Sequence, residues 1–276
     1  MTDDARPATP LSAADVVDLL LAATGVPARA ATVDGVLDGD PATPVSRAAV
    51  TTMATLDVLR RAADAGAQLV VTHEPLYFDH ADAARRDLEA EADPVYAAKR
   101  RFVAERGLVV AHLHDRWHDR RPDGVDAATA EALGWRLDPA AAADGLALAT
   151  VGPTTLGELA RYVAARLGAT ALRYLGDPDA VVRRVGLDLG FRGAARNRAL
   201  LRRPDVDVAV VGECHEWETG EYAADAVATG VAAGLVVVGH VPSEQAASAA
   251  VAALLRRAVP GLGVDVVATP DLFRAA

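Results

Sequence analysis

One pattern recurs three times along the chain: a helical stretch, a glycine, a short strand rich in leucine and valine, and then a histidine. The three strands are residues 68–71, 108–110 and 235–238. A short strand that is apolar at every position is typical of a sheet covered by helices on both faces. The pattern therefore predicts an α/β fold with helices packed on mixed sheets.

The chain is longer than one average domain, since 276 residues favour two domains that share an extensive core. The Ala-rich stretch 138–145, which begins with Asp-Pro, is the best candidate for the junction. We expect a first α/β domain over residues 1–138. Residues 139–276 then either form a second α/β domain or complete the first, and we expect these two interconnected parts to hold the functional site between them.

The composition excludes several classes of protein. With 51% hydrophobic and 24% charged residues, the chain resembles a soluble globular protein. The net charge of −10 argues against non-specific binding of nucleic acid, which requires an excess of basic residues on one face. No apolar run approaches the roughly 20 residues that cross a bilayer, and the start lacks the pattern of a signal peptide. Cys214 is the single cysteine, so no internal disulfide can form. We therefore expect a cytoplasmic protein.

Pairs of nitrogen and oxygen donors follow the predicted strands, at the edge where α/β sheets bind ligands. The candidate metal ligands are His73, Glu74, His114, His118, His240 and Glu244. Each pair alone has a simpler interpretation, as a polar turn, a solvated helical turn or a carboxylate that complements a helix dipole. Because three pairs follow similar strands, and six donors exceed the needs of one zinc site, we predict two divalent transition metal ions per chain. Imidazole and carboxylate ligands suit Zn, Mn, Fe, Co or Ni.

Other polar side chains near the strand ends are weaker candidates. Glu213 and Glu216 follow a further strand, where one of them would act as a general acid or base, and the alternative is a charged rim. Asp115 would orient the neighbouring His114 as an outer-shell carboxylate. His112 is assigned a structural role, and His80 could line the pocket but carries no signature.

Three segments resemble the metal-binding motifs of the Nif-three-like family, often labelled type-two GTP cyclohydrolase homologues. They are residues 72–78, 114–118 and 239–244, and the likeness extends in the right order over nearly the whole chain. The resemblance implies paired metal ions held between two α/β domains and a toroidal homohexamer. It also implies that the ligands are His73, His114, His118, His240 and Glu244, with Glu74 also at the metals.

Two positions depart from the commonest pattern of that family. Many members have two adjacent histidines where this chain has His73-Glu74, and many have an aspartate where this chain has His118. A carboxylate is therefore lost at one position and gained at the other. Glu74 could still supply a bridging carboxylate.

The predicted metal pair favours hydrolysis, because two metals about 3.5–4 Å apart can activate a bridging hydroxide. The resemblance implies a cyclohydrolase-like attack on a purine nucleotide such as GTP. No phosphate-binding Walker-type loop is found, so Arg192 in the turn 190–193 is the candidate anchor for a nucleotide. Two alternatives stay open: a non-catalytic metal-binding or regulatory hexameric scaffold, and a phosphoesterase.

Overall fold

The computed structural model describes residues 11–80 and 83–275 of the chain. The elements of the first part are α1 (Ala13–Ala23), β1 (Gly35–Asp38), β2 (Arg47–Thr51), α2 (Leu56–Asp64), β3 (Leu69–Thr72), α3 (Ala83–Ala90), α4 (Pro94–Glu105), β4 (Val109–His112) and α5 (Asp115–His118). Those that follow are α6 (Gly124–Ala132), α7 (Pro139–Ala143), β5 (Ala147–Thr155), α8 (Leu156–Leu167), β6 (Arg173–Gly176), β7 (Val181–Asp188), α9 (Ala194–Leu201) and β8 (Val208–Val211). The last elements are a π-helix (Glu216–Gly220), α10 (Glu221–Ala228), β9 (Gly234–Val237), α11 (His240–Ala258) and β10 (Gly263–Val266). The predicted α/β class is confirmed.

The chain divides into two compact units, each with its own five-stranded sheet. The first unit comprises Met1–Arg116 and Val251–Ala268, and the second comprises Trp117–Ala250 and Thr269–Ala276. The first unit is discontinuous in sequence because β10 pairs with β2, which lies near the start of the chain. The predicted boundary after residue 138 is a different, single break, and it stays a prediction.

The sheet of the first unit has the strand order β1-β4-β3-β2-β10. β10, β2, β3 and β4 run parallel, and β1 closes one edge antiparallel to β4. All residues of β3 and β4 are buried, as their continuous apolar character predicts. Because Thr72 is in register with His112, β3 and β4 end side by side. The segments that carry His73 and His114 therefore begin at the same edge.

The core of the first unit is built largely from aliphatic side chains. Val58, Leu59 and Ala62 form the apolar face of α2, and each is fully buried against the sheet residues of the same cluster. Burial of a valine or leucine side chain contributes about 1.5–3 kcal/mol. Tyr77 and Tyr96 add one edge-to-face ring pair with centroids 4.9 Å apart. This core supports the turn that follows β3.

The sheet of the second unit has the order β5-β7-β8-β9-β6. β7, β8 and β9 are parallel and central, while β5 and β6 form antiparallel edges. The carboxyl ends of the three parallel strands lead into the segments that begin at Gly190, Glu213 and His240. Ligands of open α/β sheets bind at this edge.

Local signals in the sequence account for several helix ends. A capping box is present at the start of α1, since Ser12 Oγ accepts from Asp15 N at 3.2 Å and the Asp15 carboxylate accepts from Ser12 N at 3.0 Å. Such a cap stabilises a helix by about 1 kcal/mol. Within residues 11–80 and 83–275, no helix has both the length and the apolar character of a membrane span.

Candidate metal centre

In the first unit, three donors from two neighbouring segments lie close together. Glu74, His80 and His114 each offer one ligand atom, and these atoms all lie within 4.8 Å of one another. Glu74 Oε2 is 3.5 Å from His80 Nε2. Two imidazoles and a carboxylate are a donor set that fits a divalent transition metal. His80 was not among the predicted ligands, because nothing in its spacing along the chain indicated this cluster.

Four histidine rings pack in this part of the first unit. The ring centroids are 4.5 Å apart for His80 and His114, 5.0 Å for His73 and His114, and 5.3 Å for His80 and His112. His73 is buried, and its Nδ1 lies 3.1 Å from the carbonyl oxygen of Leu113. A carbonyl can only accept, so this contact assigns the hydrogen to Nδ1 and leaves the lone pair of the neutral ring on Nε2. That tautomer suits the role predicted for His73.

His112 holds the histidine cluster to the backbone. Its Nδ1 is 2.9 Å from the carbonyl oxygen of Val33, and its Nε2 is 2.7 Å from the carbonyl oxygen of His73. Burial lowers the pKa of His112 below its ordinary value. Since both ring nitrogens contact the main chain, the geometry fits the structural role predicted for this residue.

Two aspartates fix the start of α5 and the ring of His114. Asp34 accepts from the backbone N–H of His114 at 2.7 Å, and from those of Asp115 and Arg116 at 2.9 Å. Asp115 Oδ1 lies 3.3 Å from His114 Nδ1 and 2.7 Å from Arg29 Nη1. This is the contact predicted for an outer-shell carboxylate. Asp34 was not recognised in the sequence, where it stands in a stretch rich in Asp, Gly and Pro that indicates turns around one short strand.

The turn that carries Glu74 and His80 is held by the only lysine of the chain. Lys99 of α4 is 6% exposed, donates to the carbonyl oxygen of Leu76 at 2.5 Å and lies 5.0 Å from the ring centroid of Phe78. Burial lowers the pKa of Lys99 to about 8. Phe78 has a φ of 68°, a conformation that side chains rarely adopt and that concentrates at functional sites. The hydrogen bond to Glu74 raises the pKa of His80 above its ordinary value.

In the second unit, the start of α11 places a histidine against two carboxylates. His240 Nε2 is 3.1 Å from Glu244 Oε2, one helical turn later, and His240 Nδ1 is 3.3 Å from Glu213 Oε1. Glu244 is buried, whereas half of the Glu213 side chain is exposed. Ser243 supports this turn, because its Oγ accepts from Gly190 N at 3.1 Å and donates to the His240 carbonyl at 2.7 Å.

Two glycines let the neighbouring loops approach Glu244. A Cβ added to Gly190 would lie 2.1 Å from Glu244 Oε1 and 3.5 Å from His240 Nε2. A Cβ on Gly212 would lie 2.5 Å from the backbone of Gly190 and 2.6 Å from Ser243 Oγ. The sequence marks these positions only as glycines after strands. Gly190 therefore leaves the space that the Glu244 carboxylate occupies, and Gly212 leaves space for Gly190 and Ser243.

His118 belongs to a buried network of charged side chains in the second unit. Its Nδ1 lies 2.9 Å from Asp123 Oδ2, and Arg192 contacts Asp123 at 3.1 Å and Asp126 at 3.2 Å. Burial alone would raise the pKa of Asp123, but the hydrogen bond from His118 and the charge of Arg192 outweigh it and hold that pKa well below its ordinary range. Burial raises the pKa of Asp126 to about 7, against the charge of Arg192. Two carboxylates thus already pair with the guanidinium, and the role of Arg192 as a phosphate anchor stays a prediction.

The two predicted catalytic glutamates occupy different surroundings. Glu213 is placed at His240, as described above. Glu216 begins the π-helix, its side chain is 79% exposed, and it forms an ion pair with Arg173. Within the same segment His215 Nδ1 lies 2.7 Å from Glu218 Oε2. The charged rim that sequence analysis kept as an alternative describes the surroundings of Glu216.

A cavity of about 480 Å³ in the first unit adjoins the histidine cluster. It is lined by residues 31–37 and 75–77 together with Asp79, His80 and His112. Its lining contains Asp34 and Asp79 but no arginine or lysine. A polyphosphate would therefore find histidines but no arginine or lysine among these lining residues, whereas the volume is suitable for a small molecule.

The family and structure comparisons agree with this description. A family model described as Duf34/NIF3 (NGG1p interacting factor 3) matches residues 23–271. No curated protein matches the sequence.

Solved structures with a similar fold cover nearly the whole chain. A Bacillus cereus protein related to NIF3 is 15% identical, with a TM-score of 0.76 over 98% of this chain and 100% of that one. A Staphylococcus aureus hypothetical protein is 18% identical, with a TM-score of 0.74 over 97% of this chain and 100% of that one. Reduced HcgD from Methanocaldococcus jannaschii is 14% identical, with a TM-score of 0.66 over 93% of this chain and 98% of that one. At these identities the similarity establishes the fold alone.

Proposed function

The chain belongs to the Duf34/NIF3 family, and from this premise we propose that it binds two divalent transition metal ions and acts as a metal-dependent hydrolase. The observation that carries the proposal is the cluster of Glu74, His80 and His114, whose donor atoms lie within 4.8 Å of one another. The proposed ligands from sequence analysis are His73, Glu74, His114, His118, His240 and Glu244. His80 joins them as a seventh donor, because its Nε2 faces the Glu74 carboxylate.

The chemistry of these residues supports metal binding more directly than it supports any substrate. The tautomer of His73 places the lone pair on Nε2, and Asp115 orients His114 in the same way that outer-shell carboxylates orient ligating histidines. When bound, two metal ions would supply an activated hydroxide and positive charge beside the attacked oxygen. The protein itself holds the donors in place and surrounds them with buried side chains.

Glu213 is the proposed general acid or base. It is partly exposed and adjoins His240, so it can exchange a proton with solvent while it remains beside a proposed ligand. Glu216 stays a second, weaker proposal for this role, because its side chain is already paired with Arg173 on the surface.

A nucleotide such as GTP stays a candidate substrate, with one restriction from the cavity in the first unit. The lining described above has no arginine or lysine, so this cavity suits the uncharged ring of a ligand better than its phosphates. The same observation disfavours a phosphoesterase that would bind there. It is compatible with a non-catalytic metal-binding or regulatory scaffold, which requires only the ligands. The homohexamer and the cytoplasmic location stay predictions.

Metal analysis tests the proposal. The protein would be stripped of metal, reloaded with Zn²⁺, Mn²⁺, Fe²⁺, Co²⁺ or Ni²⁺, and measured by elemental mass spectrometry, with an expected content of two ions per chain. Glu74→Ala and His80→Ala should each reduce this content. His215→Ala is the matched control, because it removes a histidine that contacts Glu218 on the exposed segment and is not a proposed ligand. A content of one or no ion under every loading would refute the dinuclear proposal.

A screen of hydrolase substrates separates the enzyme from the scaffold. The loaded and metal-stripped proteins would be assayed on nucleotides, cyclic amides and phosphate esters, with Glu213→Gln as the variant that retains shape and loses the carboxylate. Hydrolysis that requires both metal and Glu213 supports the proposed reaction. Full metal content without turnover of any class would favour the scaffold.

A further inference from the structure

We propose that Asp123 and Arg192 are positioning residues that hold the His118 imidazole with its hydrogen on Nδ1, so that Nε2 is its metal-ligand atom. The inference rests on the proposed role of His118 as a ligand. It concerns a position where the chain has an imidazole in place of the aspartate common in the family, and it identifies the residues that accommodate that change.

The hydrogen bond between His118 and Asp123 determines the tautomer of His118. His118 Nδ1 and Asp123 Oδ2 are 2.9 Å apart, and both side chains are largely buried. Arg192 Nη2 also lies 3.4 Å from Nδ1, but the carboxylate is much closer and, when ionised, only accepts hydrogen bonds, so the hydrogen lies on the imidazole Nδ1 and the guanidinium contact is not a hydrogen bond in that tautomer. In the neutral ring the lone pair then resides on Nε2. Ligating histidines in proteins typically have this arrangement, in which a carboxylate or carbonyl fixes the tautomer from the far side of the ring.

The start of α6 keeps the Asp123 carboxylate directed at His118. Asp123 is the N-cap of α6, and its Oδ1 accepts from the backbone N–H of Val125 at 2.9 Å and of Asp126 at 3.3 Å. One carboxylate oxygen is therefore fixed by the helix, and the other faces His118. Because both oxygens belong to one rigid carboxylate, the helix cap also fixes the orientation of the His118 ring.

Arg192 supports the carboxylate of Asp123 through its guanidinium. Its Nη1 lies 3.1 Å from Asp123 Oδ2, its Nη2 donates to Asp126 Oδ1 at 3.2 Å, and its Nε donates to the carbonyl oxygen of Leu189 at 3.1 Å. A buried carboxylate needs a partner charge to remain ionised. Arg192 supplies that charge, and its planar guanidinium contacts both aspartates in fixed directions. The carboxylate of Asp123 thus remains an acceptor for His118.

Asp126 is the natural internal comparison for Asp123. It is buried on the same helix and contacts the same guanidinium, but its Oδ2 has no hydrogen-bond partner among the described residues. Asp126 Oδ1 accepts from Arg192 at 3.2 Å, whereas Asp123 Oδ2 contacts His118 Nδ1 directly at 2.9 Å. We therefore assign the hold on the imidazole to Asp123, and assign Asp126 only the support of Arg192.

The decisive variant is Asp123→Asn. Asparagine is as good an N-cap as aspartate, so α6 keeps its cap, but the amide can donate to Nδ1 and thereby favour the tautomer with hydrogen on Nε2. The matched control is Asp138→Asn, since Asp138 caps α7 of the same unit through the backbone N–H of Ala140 and Ala141. Asp138→Asn should retain the thermal stability of the parent protein, whereas Asp123→Asn should lower it because a buried partner of Arg192 loses its charge, so circular dichroism first checks that both variants are folded.

Two readouts test the inference, and the first needs no metal. Long-range ¹H–¹⁵N spectra of the metal-free, ¹⁵N-histidine-labelled protein report the tautomer of His118, which is assigned with His118→Gln. We expect hydrogen on Nδ1 in the parent protein and in Asp138→Asn, and a loss of that preference in Asp123→Asn. Calorimetry with Zn²⁺ should show affinity about 10–100-fold weaker in Asp123→Asn, the usual effect of removing such a partner. Arg192→Lys, which keeps the charge and loses the planar contacts, should fall between them.

The outcomes separate this inference from the proposed function. If His118→Gln leaves Zn²⁺ affinity unchanged, the ligand role of His118 fails, and the tautomer spectra still decide whether Asp123 holds the ring. If His118→Gln weakens binding while Asp123→Asn changes neither tautomer nor affinity, the positioning role is overturned. Hydrogen on Nε2 in the metal-free parent protein would overturn it as well.

Discussion

Substitution of Gly190 by alanine is expected to displace the proposed ligand Glu244. The added Cβ would lie 2.1 Å from Glu244 Oε1 and 3.0 Å from Glu244 Cδ, which is closer than non-bonded atoms can approach. Glu244 is 2% exposed, and its other oxygen lies 3.1 Å from His240 Nε2. The carboxylate cannot yield without leaving its contact with His240.

The magnitude follows from comparison with Gly168→Ala. Gly168 has a φ of 67°, close to the 66° of Gly190, and an added Cβ there has nothing within 4 Å. An alanine in this left-handed conformation costs about 1–2 kcal/mol. Gly168→Ala should show this backbone cost alone, partly offset by the lower entropy of the unfolded chain. Gly190→Ala should lose a further 1–3 kcal/mol or so, as is usual when a side chain is forced into a packed site.

Urea denaturation of the two metal-free variants measures this difference directly, because both glycines lie in the same unit and share the backbone term. Calorimetry with Zn²⁺ then tests the consequence for binding, with weaker affinity expected for Gly190→Ala and parental affinity for Gly168→Ala. Equal losses of stability in the two variants, together with unchanged Zn²⁺ affinity in Gly190→Ala, would refute the assignment of Gly190 as the residue that makes room for Glu244.

Three further predictions concern both units and the assembly. The pKa of Lys99 is about 8 in the folded protein against an ordinary 10.5, so the unfolded chain binds more protons between these values and stability should rise with pH through that window, by at most about 3 kcal/mol. Lys99→Met should abolish this rise in urea titrations at pH 7.5 and 10, and an unchanged rise would contradict the burial argument. Gly124→Ala should destabilise the protein by about 1–3 kcal/mol and perturb the Trp117 fluorescence, since its Cβ would lie 2.6 Å from that indole ring, and a native spectrum with native stability would argue against the contact. Light scattering should detect a homohexamer, and a clean monomer at micromolar concentration would rule out that assembly.

Local patterns in the sequence were sufficient to predict the strands that precede the candidate metal ligands. β3, β4 and β9 are short, mainly apolar runs that follow a glycine and lead to a histidine. The helix before each of these strands has buried residues at helical spacing. The cap at Ser12 is equally local, because it involves residues only three positions apart. Donors that directly follow such strands are visible in sequence for the same reason, since the ends of parallel strands share one edge.

Tertiary structure alone decided which polar side chains meet. His80 reaches Glu74 because the turn folds back with Phe78 at positive φ while Lys99 of a later helix donates to Leu76. In sequence Arg192 stands only in a glycine-rich turn, whereas in the structure its guanidinium pairs with the buried carboxylates of Asp123 and Asp126. The pairing of β10 with β2 likewise joins segments from opposite ends of the chain. The sequence by itself determined the repeated helices and strands and the donors at their ends, because those depend on propensity and periodicity over a few neighbouring residues. Only the tertiary structure decided the partners of each charge, because they depend on contacts between residues far apart in the chain.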